Sequence, residues 1–267
     1  NYIGTTSDGM AALPNARSGI TLPSDVGDTI AYNLISGNTA GGIVIGTWPS
    51  SPALSLWISG NYIGTNVRGS AAVPNAYGIS GIGDGVLVSG NLISGNSAEG
   101  INMSGRLWQV RANRIGCDSA GAAALPNGRG GILVNAIQGI SSDSIFIGGA
   151  TSADGNLISG NEEWGVRIEA SRVTISQNII GLTSAGDAPL PNPVGIFLYG
   201  PIDSVLIQNN VISGNSINGV IGSLSVDVVI RANRIGTDPT GRRAIGNRDH
   251  GVQLIGMQRT RIGGPSA

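Results

Sequence analysis

The chain has 267 residues, 40% of them hydrophobic, 12% charged and 4% aromatic, with 44 glycines; this is too apolar for disorder and too poor in large side chains for a thick globular core. A net charge of -1, with fifteen arginines and no lysine, supplies no basic field for nucleic acid or an anionic membrane. One cysteine and one histidine exclude an intrachain disulfide and a Cys/His metal cluster, and without an apolar run of ~18 residues no membrane insertion is predicted.

Asn1-Tyr2-Ile3-Gly4 opens a block that returns at Asn61, Asn113, Asn178 and Asn233. Each copy runs into a long link, over 6–18, 66–77, 118–130, 183–194 and 238–250, before a Gly-Ile or Gly-Val pair. A second block, Asn-(Leu/Val)-Ile-Ser-Gly-Asn, begins at Asn33, Asn91, Asn156 and Asn210 and alternates with the first. Such a repeat predicts stacked units, and with no linker or composition shift it predicts one domain, 1–267.

Each unit contains alternating stretches such as Val173-Thr174-Ile175-Ser176-Gln177, bounded by Gly and Asn, which predict short strands. The bare unit from Asn91 to Asn113 is about twenty-two residues, a length that three strands of four or five residues and their corners consume. About nine coils follow, with strands pairing in parallel from coil to coil. Ile20, Ile43, Ile79, Ile101, Ile132, Val166, Ile196, Val220 and Val252 are predicted to form one inward row. Asn33, Asn61, Asn91, Asn113, Asn156, Asn178, Asn210 and Asn233 are predicted to occupy left-handed corners and to hydrogen-bond along the stack. Glycines at the first-strand starts and in Ser-Gly-Asn are expected to supply further positive dihedrals.

The strings Asn1-Tyr2-Ile3-Gly4-Thr5, Asn33-Leu34-Ile35-Ser36-Gly37-Asn38, Ile147-Gly148-Gly149 and Ile262-Gly263-Gly264 resemble the right-handed parallel β-helix repeat proteins of the pectin-lyase-like superfamily, especially bacterial surface and secreted ones. The resemblance implies an all-β, single-stranded, right-handed parallel β-helix in an extracellular or cell-surface setting. It leaves function open, because the superfamily holds lyases, hydrolases, epimerases, adhesins and structural shafts. Neither end carries an evident polar or helical cap, so the chain is expected to be a segment of a longer solenoid or to stack end to end with its copies.

Enzymes of this superfamily work on the outer face of one sheet with carboxylates, Arg, Lys or His. The outward positions of the first strand here are Thr21, Val44, Ser80, Asn102, Leu133, Arg167, Phe197, Ile221 and Gln253, with no acidic stack. One region has suitable groups: Glu162, Glu163, Arg167, Glu169 and Arg172 beside Trp164, with Glu163, Arg167 and Glu169 as the catalytic candidates; His250, next to Asp249, is the other. The expected reading is a solvated corner with surface ion pairs. Asp118 and Asp238 are expected in Asx-turns rather than around calcium, and Cys117 as a passive small residue. No cofactor or metal is predicted.

Outward Val44, Leu133, Phe197 and Ile221, with Trp57, Leu87, Leu206 and Val229 on the second strand, predict contact with a neighbouring chain, centred on Phe197, Leu206 and Ile221. The function expected is therefore a non-enzymatic extracellular structural or adhesin-type shaft, self-associating end to end or laterally into a filament. The alternative is a carbohydrate-active lyase or hydrolase around Arg167 and Glu169. Passive polysaccharide binding through Trp48, Trp57 and Trp164 lies between the two.

Overall fold

A computed structural model describes residues 1–23, 26–46, 53–137, 140 and 142–264. Its strands form three parallel sheets of nine, nine and ten strands. The first sheet runs from Ile20–Leu22 to His250–Ile255, the second from Thr29–Ala31 to Arg261–Ile262, and the third from Tyr2–Ile3 to Arg234–Ile235. Within each sheet a strand pairs with those one coil earlier and one coil later, so the chain winds as a three-sided solenoid of about nine coils. A short extra strand, Ala53–Leu54, pairs with Gly83 and Asp84 at the end of a long first-sheet strand.

The predicted aliphatic row is in register from Ile20 through Ile43, Ile79, Ile101, Ile132, Val166, Ile196 and Val220 to Val252. Ile43 to Val220 in this row are completely buried. Burial of each such side chain contributes roughly 1.5–3 kcal/mol, and because identical shapes stack at one height the core fills without large aromatics. Trp108 is the exception among the described residues: its buried indole donates to the carbonyls of Gly83 and Ser104.

The asparagine ladder forms as expected, but its backbone differs. Every ladder Nδ2 from Asn33 to Asn210 donates to Oδ1 of the next, at 2.8–3.1 Å. Except before Asn156, where Gly155 is extended, the left-handed residue is the one before the asparagine: Tyr32, Ala112, Gln177, Asn209 and Ala232 have φ between 53° and 64°. The ladder residue is thereby freed to aim its amide inward, where it also caps a second-strand carbonyl such as Val88. Likewise, the glycines that open the first strands, such as Gly42, Gly78 and Gly131, are not in the positive-φ region. Gly42 is glycine because a Cβ there would lie 2.7 Å from the carbonyl oxygen of Gly78 and 2.9 Å from the amide of Asn75.

Asn75 belongs to a second ladder that the repeat alone did not reveal. Asn15, Asn38, Asn75, Asn96, Asn127, Asn161, Asn192, Asn215 and Asn247 join side chain to side chain at 2.8–3.2 Å. It lies between the third and first sheets and caps third-strand carbonyls, as Asn127 does at Ile93.

The long links form a self-packing rib. Each closes on itself through an antiparallel bridge, Thr5 to Ala12 being the first and Thr237 to Ala244 the last. Successive links then touch: Val67 donates to Gly9, Ser119 to Gly69 and Ser184 to Gly121, at 2.8–3.0 Å. Pro239 occupies the next equivalent position and has no N–H; there Arg243 donates to the carbonyl of Asp187 instead. The first-sheet strands take in the last residue of four links, beginning at Tyr77, Gly130, Val194 and His250.

Candidate functional site

On the outer face of the first sheet the strand Trp164–Ile168 presents Trp164 and Arg167, with Glu169 directly after it. The next coil places Val194 beside Trp164 and Phe197 beside Arg167. The Arg167 guanidinium bonds Glu169 at 2.6 Å and lies 4.1 Å from the ring centre of Tyr199, 5.0 Å from Trp164 and 5.4 Å from Phe197. Phe197 and Tyr199 meet edge to face at 5.4 Å. Alternation along two adjacent strands puts Arg167, Glu169, Phe197 and Tyr199 on one surface, and the Trp164 ring, lying over Gly130, joins them out of that alternation, so the cation gains both an ion pair and ring contacts.

Trp164 is not the exposed platform expected for a sugar. Its side chain is 8% exposed, because Gly130, its partner one coil earlier, has no side chain and the indole lies over it. The exposed aromatic surface is Tyr199 instead. Outward Leu133 is also covered, at 9% exposure. Trp57 is exposed as predicted, and Trp48 lies outside the described residues.

Glu99 sits two residues before Ile101, as Gly130 and Trp164 sit before Ile132 and Val166, so it shares their column. It is 2% exposed and faces Arg129 at 3.6 Å. Five buried side-chain polar atoms have no hydrogen-bond partner among the described residues, and three belong here: Glu99 Oε2, Trp164 Nε1 and Arg167 Nε. Each such orphan costs about 1–3 kcal/mol, so their concentration on one face is the feature that sequence reasoning missed. Its only trace in the sequence is Glu99 at a position aligned with Tyr77, Gly130 and Trp164.

Of the catalytic candidates only Arg167 and Glu169 are brought together; the two carboxylates and the histidine are not. Glu163 and Glu169 stand at opposite ends of one strand, roughly 20 Å apart along the backbone at ~3.3 Å per residue, whereas glycosidic chemistry places two carboxyl groups within roughly 5–9.5 Å. His250 begins a strand rather than lying in a loop, and its Nδ1 is 3.2 Å from Asn218 Oδ1. Three coil steps separate it from Trp164, about 14 Å along the axis. Arg172 turns away to Asp143, at 2.8 Å.

Asp118 and Asp238 accept from backbone N–H groups as expected but not in Asx-turns, which reach two residues on: one oxygen of each accepts from the N–H groups four and five residues later, of Ala122 and Ala123 and of Arg242 and Arg243. No group of three metal-ligating side chains occurs among the described residues. Burial first, then the nearby Asp118 carboxylate, pushes the Cys117 thiol up to about 12, so the neutral thiol is its form at physiological pH.

No protein-family model matches the chain, and no curated protein matches its sequence. Solved structures do. The A-module of the mannuronan C-5 epimerase AlgE4 of Azotobacter vinelandii superposes with a TM-score of 0.57 at 15% identity, over 96% of this chain and 78% of that one. The periplasmic alginate epimerase AlgG gives 0.52 at 13% identity, over 98% and 80%. PfbA, a surface adhesin of Streptococcus pneumoniae, gives 0.38 at 12% identity, over 92% and 82%. The fold is a right-handed parallel β-helix. At these identities the β-helix likeness concerns architecture alone.

Proposed function

We propose that the chain is a non-enzymatic β-helix shaft of the extracellular or cell-surface type. The observation that carries this reading is the pair of asparagine ladders, which run through successive coils at two of the three corners and hold the coil spacing rigid. The state of the Arg167 cluster supports it, since the guanidinium and Glu169 already neutralise each other and are packed by rings. A location outside the cytoplasm accords with this role. Incubation with pectate or alginate, with and without calcium, is expected to yield neither unsaturated nor new reducing ends. Product formation by the wild type that disappears in Arg167→Gln would overturn the shaft reading.

That outcome would favour the second reading, a carbohydrate-active site over Glu99, Trp164, Arg167 and Glu169. The specific observation in its favour is the three unpartnered polar atoms on that face, which a bound sugar hydroxyl or water would satisfy.

The shaft reading includes lateral association through the half-buried outer side chains Phe197, Leu206 and Ile221. In sedimentation velocity Phe197→Asp with Ile221→Asp is expected to shift any assembled fraction to monomer. An unchanged distribution of assemblies would remove these residues from the interface.

A further inference from the structure

One end of the third sheet carries an aromatic cluster that none of the preceding chemistry uses. The outward column of this sheet begins Tyr2, Leu34, Tyr62 and Leu92 in unbroken register. Later coils with a long link carry Arg114, Ile179 and Arg234 where the first two carry tyrosine. At the corner before the third strand, Tyr32 takes the place that Gly60, Gly90, Ala112 and Ala232 hold in other coils. Three of the five tyrosines of the chain thus meet in its first three coils, and this local break in the repeat is what marks a site.

Glycines hold the three rings. Gly9, Gly60 and Gly69 all have positive φ, and a Cβ on them would lie 3.2 Å from Tyr2 Cε2, 2.7 Å from Tyr32 Cε1 and 3.1 Å from Tyr62 Cε2. Tyr2 and Tyr62 rest on equivalent glycines of the rib, so their rings keep the spacing of two coil steps, roughly 10 Å. Between them lies a cavity of ≈ 210 Å³, with Leu34 as floor, Val67 on the rib side and Tyr32 on the corner side; Tyr32 is 83% exposed.

This lining has almost no hydrogen bond to offer. Asn33 is its one polar residue besides the tyrosines, and its amide is committed. Its Nδ2 donates to the Ala31 carbonyl and to Asn61 Oδ1, and its Oδ1 accepts from the side chain and the amino group of Asn1. Among the described residues no cation of the protein stacks on these tyrosines, since the cation–ring contacts all belong to Arg167. The surroundings are acidic: residues 1–67 contain three aspartates and one arginine. Asp8, next to Gly9, stays ionised because the Thr6 hydroxyl and then the Met10 N–H hold its carboxyl below the usual range.

We propose that this cavity is a cage for a trimethylammonium head group, the quaternary cation of choline and its derivatives, at a site separate from the Arg167 face and independent of the shaft reading. A cation within about 6 Å of a ring centre is attracted by the negative face of the ring. Midway between Tyr2 and Tyr62 it would stand about 5 Å from each, above Leu34 and beside Tyr32. The methyl groups of a quaternary ammonium need no hydrogen bond, so the lining costs them nothing. An ammonium or guanidinium group would leave its N–H donors unpaired there. A sugar would find rings for its C–H face but no partners for its hydroxyls except the phenols.

The test is isothermal titration calorimetry of the 267-residue chain with choline and with its neutral isostere, the alcohol in which carbon replaces the quaternary nitrogen. Choline is expected to bind, and the isostere at least about tenfold more weakly. Tyr32→Ala introduces at this corner the residue already present at Ala112 and Ala232, and Tyr62→Leu the one that adjacent coils carry as Leu34 and Leu92; circular dichroism verifies that the strands remain. Each variant should weaken choline binding about threefold or more and the pair about tenfold or more, whereas Tyr62→Phe, which keeps the ring, should bind as the wild type does. Phosphocholine and glycine betaine carry the same head group on an anion and distinguish its sources; both are expected to bind, more weakly than choline, because the surroundings are acidic. The proposal is overturned if choline does not bind at millimolar concentration, if the neutral isostere binds as tightly, or if the double variant keeps the affinity of the wild type. Binding of oligosaccharides without binding of choline would overturn it as well.

Discussion

Asn113 shows what one side chain does in this fold. Its Nδ2 donates to Asn156 Oδ1, to the carbonyl of Val88 and to that of Arg111, while its Oδ1 accepts from the backbone and side-chain nitrogens of Asn91. No other side chain offers a donor and an acceptor at that reach and size. Asn113→Ala leaves two buried carbonyls and a neighbouring amide unpaired and is expected to cost on the order of 3 kcal/mol. Asn113→Asp should be at least as damaging, because a carboxylate oxygen then faces the Val88 and Arg111 carbonyls. Urea denaturation at neutral pH measures both, and an Asp variant clearly more stable than the Ala variant would contradict the assigned donors. The serines of the second block act similarly: Ser94 Oγ accepts from Gly116 N and donates to the Cys117 carbonyl, tying one coil to the next.

At the scale of the elements, the rib holds the third sheet by contact as well as by hydrogen bonds. Gly69 has φ +64°, and a Cβ there would lie 2.6 Å from Leu92 Cδ2 and 2.7 Å from Ser119 Cβ. Gly90 has nearly the same φ, +67°, with nothing within 4 Å of the added carbon. Gly90→Ala therefore isolates the left-handed backbone penalty, about 1–2 kcal/mol. Gly69→Ala adds overpacking of typically 1–3 kcal/mol, so its melting temperature is expected to fall distinctly further. Equal losses would mean that the rib rides over the sheet without packing on it. The rib was legible in the sequence because its small residues recur in five similar links. The second asparagine ladder was not, because Asn38 and Asn75 belong to different blocks at unequal spacings. Its signal is an asparagine four or five residues before the inward aliphatic of every first strand, as Asn75 stands before Ile79 and Asn96 before Ile101.

Over the whole molecule, alternation and the recurring asparagines were enough to derive the coils, the inward row and its register, since each depends on local pattern repeated at fixed spacing. The site was less legible. Glu163 and Glu169 are near in sequence yet separated by a full strand, whereas Phe197 and Tyr199 join Arg167 from a coil about thirty residues later, a proximity that only the stacking of coils creates. The same stacking limits how far any change is felt, because every strand hydrogen-bonds only to coils directly above and below it. Stability should then be a sum of coil terms and nearest-neighbour terms. Ile196 is fully buried between Val166 and Val220, and Ile196→Ala opens a cavity expected to cost about 2–5 kcal/mol. Hydrogen exchange should show that loss at the amides of the coils carrying Val166, Ile196 and Val220, with the coil of Ile43 and Ile63 protected as before. Equal loss of protection in all the coils would show instead that the solenoid opens as a single cooperative unit, with the asparagine ladders transmitting the defect along its length.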